Sequence, residues 1–174
     1  INEGNASELI KIAEAFHEKK LSQIADMIRD ASQKRGTKLV LISGPSSSGK
    51  TTFAQRLGIQ LRIFGMMPVL ISLDDYFVER ETTPRAETGE YGYESLSALD
   101  LETSNDHLRT LFAGGSVDVP RYDFITGTRE YHETPLQLDE RSVLVIEGIH
   151  ALNPELTKDI DDSFKFKIYI SALT

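Results

Sequence analysis

Eight consecutive residues constrain this chain more than any others. Gly44-Pro45-Ser46-Ser47-Ser48-Gly49-Lys50-Thr51 satisfies G-x-x-x-x-G-K-[ST] at every position. Two glycines let the backbone curl until successive N–H groups converge on an anion. The lysine then reaches the β- and γ-phosphates, and the following hydroxyl is placed to ligate Mg²⁺. The flanks have the context this requires. Lys38–Ser43 is apolar enough for a buried strand, and Phe53, Leu57 and Leu61 recur at i, i+4, i+8 of a helix. Strand, loop and helix together read as a phosphate cradle over Gly44, Ser46, Ser47, Ser48, Gly49, Lys50, Thr51 and Thr52.

The totals exclude several classes. At 174 residues the chain is one domain, or one domain with an appendage, and can bury a substantial core. With 27 Asp+Glu against 19 Lys+Arg, the formal charge of −8 argues against nucleic acid held on a broad basic face, while a focused polyanion site stays compatible. No cysteine is present, which excludes disulfides and thiolate-ligated metals and agrees with a cytoplasmic protein. No run approaches the roughly 18 apolar residues of a membrane span, and no signal-peptide pattern opens the chain. The chain begins at Ile1 instead of Met, so a fragment of a longer protein is expected.

Ala6 to Lys34 carries Leu9, Ile12, Ala13, Phe16, Leu21, Ile24, Met27, Ile28 and Ala31 at spacings of three and four, and Gly36 ends the run. It reads as an amphipathic helix pair packed on the core, or as a connector from a preceding domain. The expected organisation is therefore a helical extension over 1–36 and a phosphate-binding domain over 37–174. Pro68–Leu73 reads as a buried parallel strand ending at Asp74-Asp75, carboxylates that either serve a ligand or cap a turn. Val78 to Asp100 has no period, and irregular segments of that length are usually functional or mobile. A helix is expected over Leu101–Phe112, with Leu101, Leu108 and Leu111 on one face and Gly114-Gly115 as its stop. Val117–Phe124 and Arg129–His132 flank Ile125-Thr126-Gly127-Thr128 as a hairpin. Ser142–Gly148 is the most buried-looking strand and ends on Glu147, either a Mg²⁺-side carboxylate or a cap; Phe164–Ile170 reads as a last strand exposed at its start.

Three strands thus bring Lys50 and Thr51, Asp74, and Glu147 to one sheet edge, which converges on Mg²⁺-nucleotide chemistry. A guanine-reading N-K-x-D is absent. A small-molecule kinase needs a carboxylate poised on an acceptor hydroxyl with polar and aromatic groups around it, and Asp74, Tyr93, Glu94, Arg121, Tyr122 and Arg129 are available. Kinases of other acceptors, such as sugar phosphates, and a nucleotide-binding regulatory module without phosphotransfer remain open alternatives.

GPSSSGKTTFA, SLDDYF, VPRYDFITGTR and VLVIEGIHALNP follow in an order that resembles the uridine kinase/phosphoribulokinase family from about Lys38 onward. The resemblance implies an α/β, P-loop NTPase three-layer fold with a mainly parallel sheet, a β-hairpin insertion and an N-terminal helical extension. It also implies ATP as phosphoryl donor, Mg²⁺ as cofactor, a small-molecule acceptor, most simply the 5′-hydroxyl of a nucleoside such as uridine, and room for a homo-oligomer. By the same resemblance Asp74 matches the proposed base near the metal, and Glu94, beside Tyr93, matches the acidic ribose-contacting position. Tyr122 matches the pocket tyrosine, Arg129 the hairpin arginine, and Glu147 the Mg²⁺-side glutamate. Two departures stand out. Gly127 occupies the place of a base-reading histidine, and the sequence stops at Thr174, before the arginine-rich lid expected after the Ile-Tyr-Ile strand. The helical extension is similar to that of larger bacterial relatives whose kinase domain follows a region resembling part of threonyl-tRNA synthetase.

Overall fold

A computed structural model describes residues 3–85, 89–131 and 134–171. Of the expected features, His132 at the end of the hairpin and Thr174 at the end of the chain lie outside the described residues. The elements in order are helix α1 (Glu3–Arg35), strand β1 (Leu39–Ser43), α2 (Lys50–Ile63), β2 (Met67–Ser72), α3 (Leu101–Phe112), and strands β3 (Ser116–Val117), β4 (Pro120–Asp123), β5 (Thr128–Tyr131), β6 (Leu136–Gln137), β7 (Ser142–Glu147) and β8 (Lys165–Tyr169). The central sheet is wholly parallel in the order β2-β7-β1-β8, so the phosphate-loop strand β1 and the strand ending in Glu147 lie side by side at its centre.

Side chains alternate across each strand, and that period sorts the core into two halves. Val40, Ile42, Val143 and Val145 face α1 and α2, where Leu21, Ala25, Ile28, Leu57 and Leu61 meet them. Leu39, Leu41, Leu144 and Ile146 face the opposite side, closed by Leu108 and Leu111 of α3, Ala98 and Leu156. Helix, sheet and helix make the three layers expected of this fold. Burying each of these Leu and Ile side chains contributes about 1.5–3 kcal/mol against leaving it exposed.

Four local expectations are corrected. The N-terminal region is one helix of 33 residues and not a helix pair, because no breaker interrupts the Ala/Glu/Lys/Leu-rich run before Gly36. Its buried apolar residues begin at Leu21, while Leu9, Ile12 and Phe16 are 63%, 58% and 61% exposed. β2 is the edge strand of this sheet among the described residues. Both its faces are covered, Pro68 and Leu70 against Gly58 of α2 and Val69 and Ile71 in the opposite half of the core, yet Met67 and Leu70 remain 45% and 39% exposed. The hairpin is shorter than expected. Val117 belongs to a separate ribbon of β3 with β6, and Thr128 lies within β5, leaving Phe124–Gly127 as the turn between β4 and β5. Finally, Tyr169 at the end of β8 is 65% exposed, because β8 pairs only with β1 among the described residues.

No helix among the described residues is long and apolar enough to cross a membrane. Among its described residues, the irregular stretch from Val78 to Asp100 carries two short 3₁₀ turns, Arg80–Thr82 and Leu96–Ala98, and is pinned at its base by a bridge between Phe77 and Leu99.

Candidate functional site

The phosphate loop forms because β1 delivers the chain to the sheet edge and α2 starts at Lys50. Gly49, at the N-cap of α2, has φ +82°, a left-handed conformation that strains any side-chain-bearing residue, and it supplies no side chain to cap the helix. The first-turn N–H groups of a 14-residue helix are thereby left facing an anion site. Gly44 lies beneath the loop, where an added Cβ would come within 2.4 Å of the Ile170 carbonyl oxygen. Ser48 Oγ is buried and has no hydrogen-bond partner among the described residues. Lys50 folds over the loop, its Nζ donating to the Pro45 carbonyl at 2.8 Å.

Next to this cradle the registers of β1, β7 and β2 place Ile42, Glu147 and Ser72 abreast. Glu147 is 6% exposed, and one of its oxygens, Oε1, accepts hydrogen bonds from Thr51 Oγ1 and Ser72 Oγ, both at 2.9 Å. Ser72 also caps the 3₁₀ turn Leu73–Tyr76, accepting from the Asp74 N–H at 3.3 Å. Asp74 therefore does not cap the turn, and its carboxylate is left to the cleft. Burial, reinforced by the charge of Glu147 and only partly opposed by Lys50, pushes the Asp74 carboxyl above its usual range. Asp75 turns the other way, accepting from the Tyr122 N–H at 3.3 Å and so tying the strand end to the hairpin.

One cleft of about 440 Å³ is lined by Ser46, Ser47, Gly49, Lys50, Thr51 and Thr52 on one side, by Asp74 and Glu147 at its floor, and by Phe77, Tyr93, Glu94 and Phe124 on the other. The expected site residues thus gather in one place, with five exceptions, one of them Arg121, which is exposed on β4 and does not line the cleft. Gly44 and Ser48 support the loop from below. Tyr122 is buried behind Tyr93, with the two hydroxyls 3.2 Å apart, and its phenol is pushed up to about 12 by burial and by Tyr93. Arg129 does not line the cleft. Its guanidinium donates to the Phe77 carbonyl at 2.7 Å, the Tyr76 carbonyl at 3.2 Å and Asp100 Oδ2 at 2.8 Å, with 12% of the side chain exposed. It braces the segment bearing Asp74 from a separate recess shared with Val78, Asp100 and Tyr131.

Ser72, Phe77, Phe124 and Ile149 were not singled out from the sequence as site residues. Ser72 could have been found by aligning the ends of the two carboxylate-bearing strands, because it ends its strand where Glu147 ends its own. The aromatic wall of Phe77, Tyr93, Tyr122 and Phe124, with ring centroids 5.0–6.2 Å apart in edge-on geometry, joins three distant segments and has no local pattern. His150 holds the loop at Glu94, its Nε2 lying 2.9 Å from the Glu94 carbonyl.

The chemistry of these groups fits a phosphate-bound Mg²⁺. Among the described residues no three ionisable side chains converge to cage an ion alone. Thr51 and Glu147, with Asp74 beside them, offer the few oxygens that Mg²⁺ takes from a protein while keeping water and phosphate ligands. The buried, unpartnered Ser48 hydroxyl and the uncapped helix start fit an anion in the cradle.

Comparison with known proteins agrees with this architecture. A uridine kinase from Halobacterium salinarum is 31% identical over 121 residues, 70% of this chain and 52% of that protein. A Staphylococcus aureus uridine kinase is 29% identical over 138 residues, 79% and 63% of the respective lengths. The chain accordingly spans between about half and two thirds of the length of these curated relatives. Among solved structures, a protein from Bacillus stearothermophilus described as a possible uridine kinase superposes with a TM-score of 0.61 at 31% identity, covering 76% of this chain and 70% of that one. D-glycerate 3-kinase from Cryptococcus neoformans shares the fold at a TM-score of 0.54 and 18% identity, over 75% and 52% of the two chains. The family profile of phosphoribulokinase and uridine kinase matches residues 39–174, β1 through β8 included, and the chain belongs to the phosphoribulokinase/uridine kinase family.

Proposed function

We propose that residues 37–174 form an ATP-dependent phosphotransferase unit that moves the γ-phosphoryl group to a hydroxyl of a small molecule, the 5′-hydroxyl of a nucleoside such as uridine. The observation that carries this reading is the continuity of the cleft: phosphate loop, Asp74 and aromatic wall border one space. A nucleotide bound through the cradle would point its terminal phosphate toward Asp74, and an acceptor against the aromatic wall would meet it there.

In this reading the backbone N–H groups of the loop and Lys50 hold the phosphates, with Thr52 and the loop serines bordering them. Thr51, Glu147 and Asp74 would hold Mg²⁺, directly or through water, and the ion when bound neutralises charge on the phosphate oxygens. Asp74 takes the proton of the acceptor hydroxyl as its oxygen bonds to the γ-phosphorus and the bond to the β-phosphate oxygen breaks, releasing ADP. A carboxyl whose pKa is pushed up is a stronger base for that step than an ordinary aspartate. Glu94, exposed at the cleft mouth, suits the hydroxyls of a sugar ring, and Tyr93, backed by Tyr122, suits its apolar face. Arg129 contributes by bracing the Tyr76-Phe77 backbone behind Asp74. The relatives named uridine kinase support the nucleoside as acceptor.

The test is incubation with Mg-ATP and a panel of nucleosides and phosphorylated sugars, with products read by mass spectrometry. Uridine 5′-monophosphate is expected. A phosphorylated sugar phosphate in its place would move the acceptor class, and ATP binding without any acceptor-dependent product would leave a nucleotide-binding regulatory module.

A further inference from the structure

Gly127 sits in the β4–β5 turn at φ +77°, and the space a side chain would need there is already filled. A Cβ on residue 127 would lie 2.7 Å from both Cβ and Nε of Arg80 and 2.9 Å from its Cζ. Arg80 comes from the irregular stretch after β2 and grips this turn along its length. Its N–H donates to the Gly127 carbonyl at 2.9 Å, Nη1 donates to the Ile125 carbonyl at 3.2 Å, and Nη2 donates to the Phe124 carbonyl. Its Nε lies 3.5 Å from the Tyr93 hydroxyl. One side chain thus touches both the turn that carries Phe124 and the tyrosine on the other part of the wall.

The grip matters because burial does not seat Phe124, which is 52% exposed. Its ring lies 6.0 Å from that of Tyr93 at 63°, and both rings line the cleft that contains Asp74. Within the turn, the Gly127 N–H donates to the Asp123 carbonyl and the Ile125 N–H to Asp123 Oδ1, each at 2.7 Å. These bonds shape the turn but do not attach it to the long loop.

We propose that Arg80 is a positioning residue that sets the width of the acceptor end of the cleft by holding Phe124 against Tyr93 in its aromatic wall, and that Gly127 is its matched partner because any side chain at 127 would evict it. The proposal rests on the acceptor reading above. Arg80 stands outside the chemistry and acts through Phe124 and Tyr93.

The experiment compares the full chain with Arg80→Ala, Arg80→Lys and Gly127→Ala, using amide hydrogen exchange without ligand and steady-state kinetics with uridine and Mg-ATP. Arg80→Ala is expected to speed exchange at the Ile125 and Gly127 amides by about tenfold or more while β7 amides keep their rates. The KM for uridine should rise about tenfold, with kcat and the KM for Mg-ATP within about threefold of wild type. Lysine, lacking the planar fork that spans two carbonyls, should restore only part of the uridine KM. Gly127→Ala should reproduce the effect, and the double variant should be no worse than about the larger single one. Unchanged turn exchange in Arg80→Ala overturns the positioning role whether or not uridine is the acceptor. Faster exchange with an unchanged uridine KM overturns the link to acceptor width. If the wild type phosphorylates no nucleoside, the acceptor reading fails, and with it the link to acceptor width, while the exchange rates still decide whether Arg80 holds the turn.

Discussion

The two sides of the cleft are built by different means. The phosphate side is one contiguous stretch, Gly44 to Thr52, whose shape follows from a strand end, a left-handed glycine and a helix start. The acceptor side is assembled from Asp74–Arg80, Tyr91–Glu94 and Phe124, and is held by arginines that reach backbone carbonyls in other segments, Arg129 to Tyr76 and Phe77, and Arg80 to Phe124 and Ile125. A local backbone motif survives changes in its surroundings, whereas a wall pinned by a few long side chains can be re-aimed by changing one of them.

The strongest way to break the contrast is at the cradle. Lys50→Ala should abolish thermal stabilisation by Mg-ATP and lower turnover by about 10³-fold, because no other loop side chain carries a positive charge to the phosphates. A retained thermal shift would mean that nucleotide binds elsewhere. Next in size, Asp74→Asn should lower kcat by about 10²-fold while leaving nucleotide affinity near wild type. The pH profile gives a second reading of the same residue. Its pKa is raised, so activity should fall as pH drops through a value above the ordinary carboxylate range. Because the folded state binds that proton more tightly than the unfolded chain, Asp74 favours folding as pH falls, and Asp74→Asn should not lower Tm at neutral pH.

Arg129→Ala tests the bracing of the acceptor side and should cost about 2 kcal/mol in denaturant unfolding, since it removes the charged partner of the half-buried Asp100 and two hydrogen bonds to the Tyr76 and Phe77 carbonyls. Asp100 runs opposite to Asp74. Burial raises its pKa, but the Thr103 N–H, Arg129 and the Thr103 hydroxyl outweigh it and hold the carboxyl below the usual range. The stability it contributes is present above roughly pH 4 and lost as pH falls through the depressed value. Acid unfolding of Arg129→Ala should therefore show a shallower pH dependence than wild type. The smallest effect is expected outside both regions: Phe16→Ser, on the exposed half of α1, should change stability by about 0.5 kcal/mol or less.

Much of this was legible in the sequence because it is local or periodic. The loop, the carboxylates at two strand ends, α3 over Leu101–Phe112 and the buried strands β1 and β7 follow from spacing and apolar runs. Asp74 and Glu147 stood out as candidates because each ends an apolar run at the sheet edge where such folds hold ligands. Arg129 was expected at the ligand and is instead a brace, because its partners are backbone carbonyls that no sequence pattern displays. The long helix misled in the same way. Its apolar spacing is continuous, yet Leu9, Ile12 and Phe16 in its first half are exposed and only Leu21 onward enters the core.

By itself, then, the sequence determined the phosphate cradle, the layered parallel fold and the pair of carboxylates beside it. These depend on φ/ψ preferences, strand and helix periods and the chemistry of residues a few positions apart. Only the tertiary structure decided that Ser72 shares Glu147 with Thr51, that Tyr122 stands behind Tyr93, and that Arg80 fills the space over Gly127. Those relations join residues tens of positions apart through side-chain reach and strand order, and such distances are fixed only when the whole core closes.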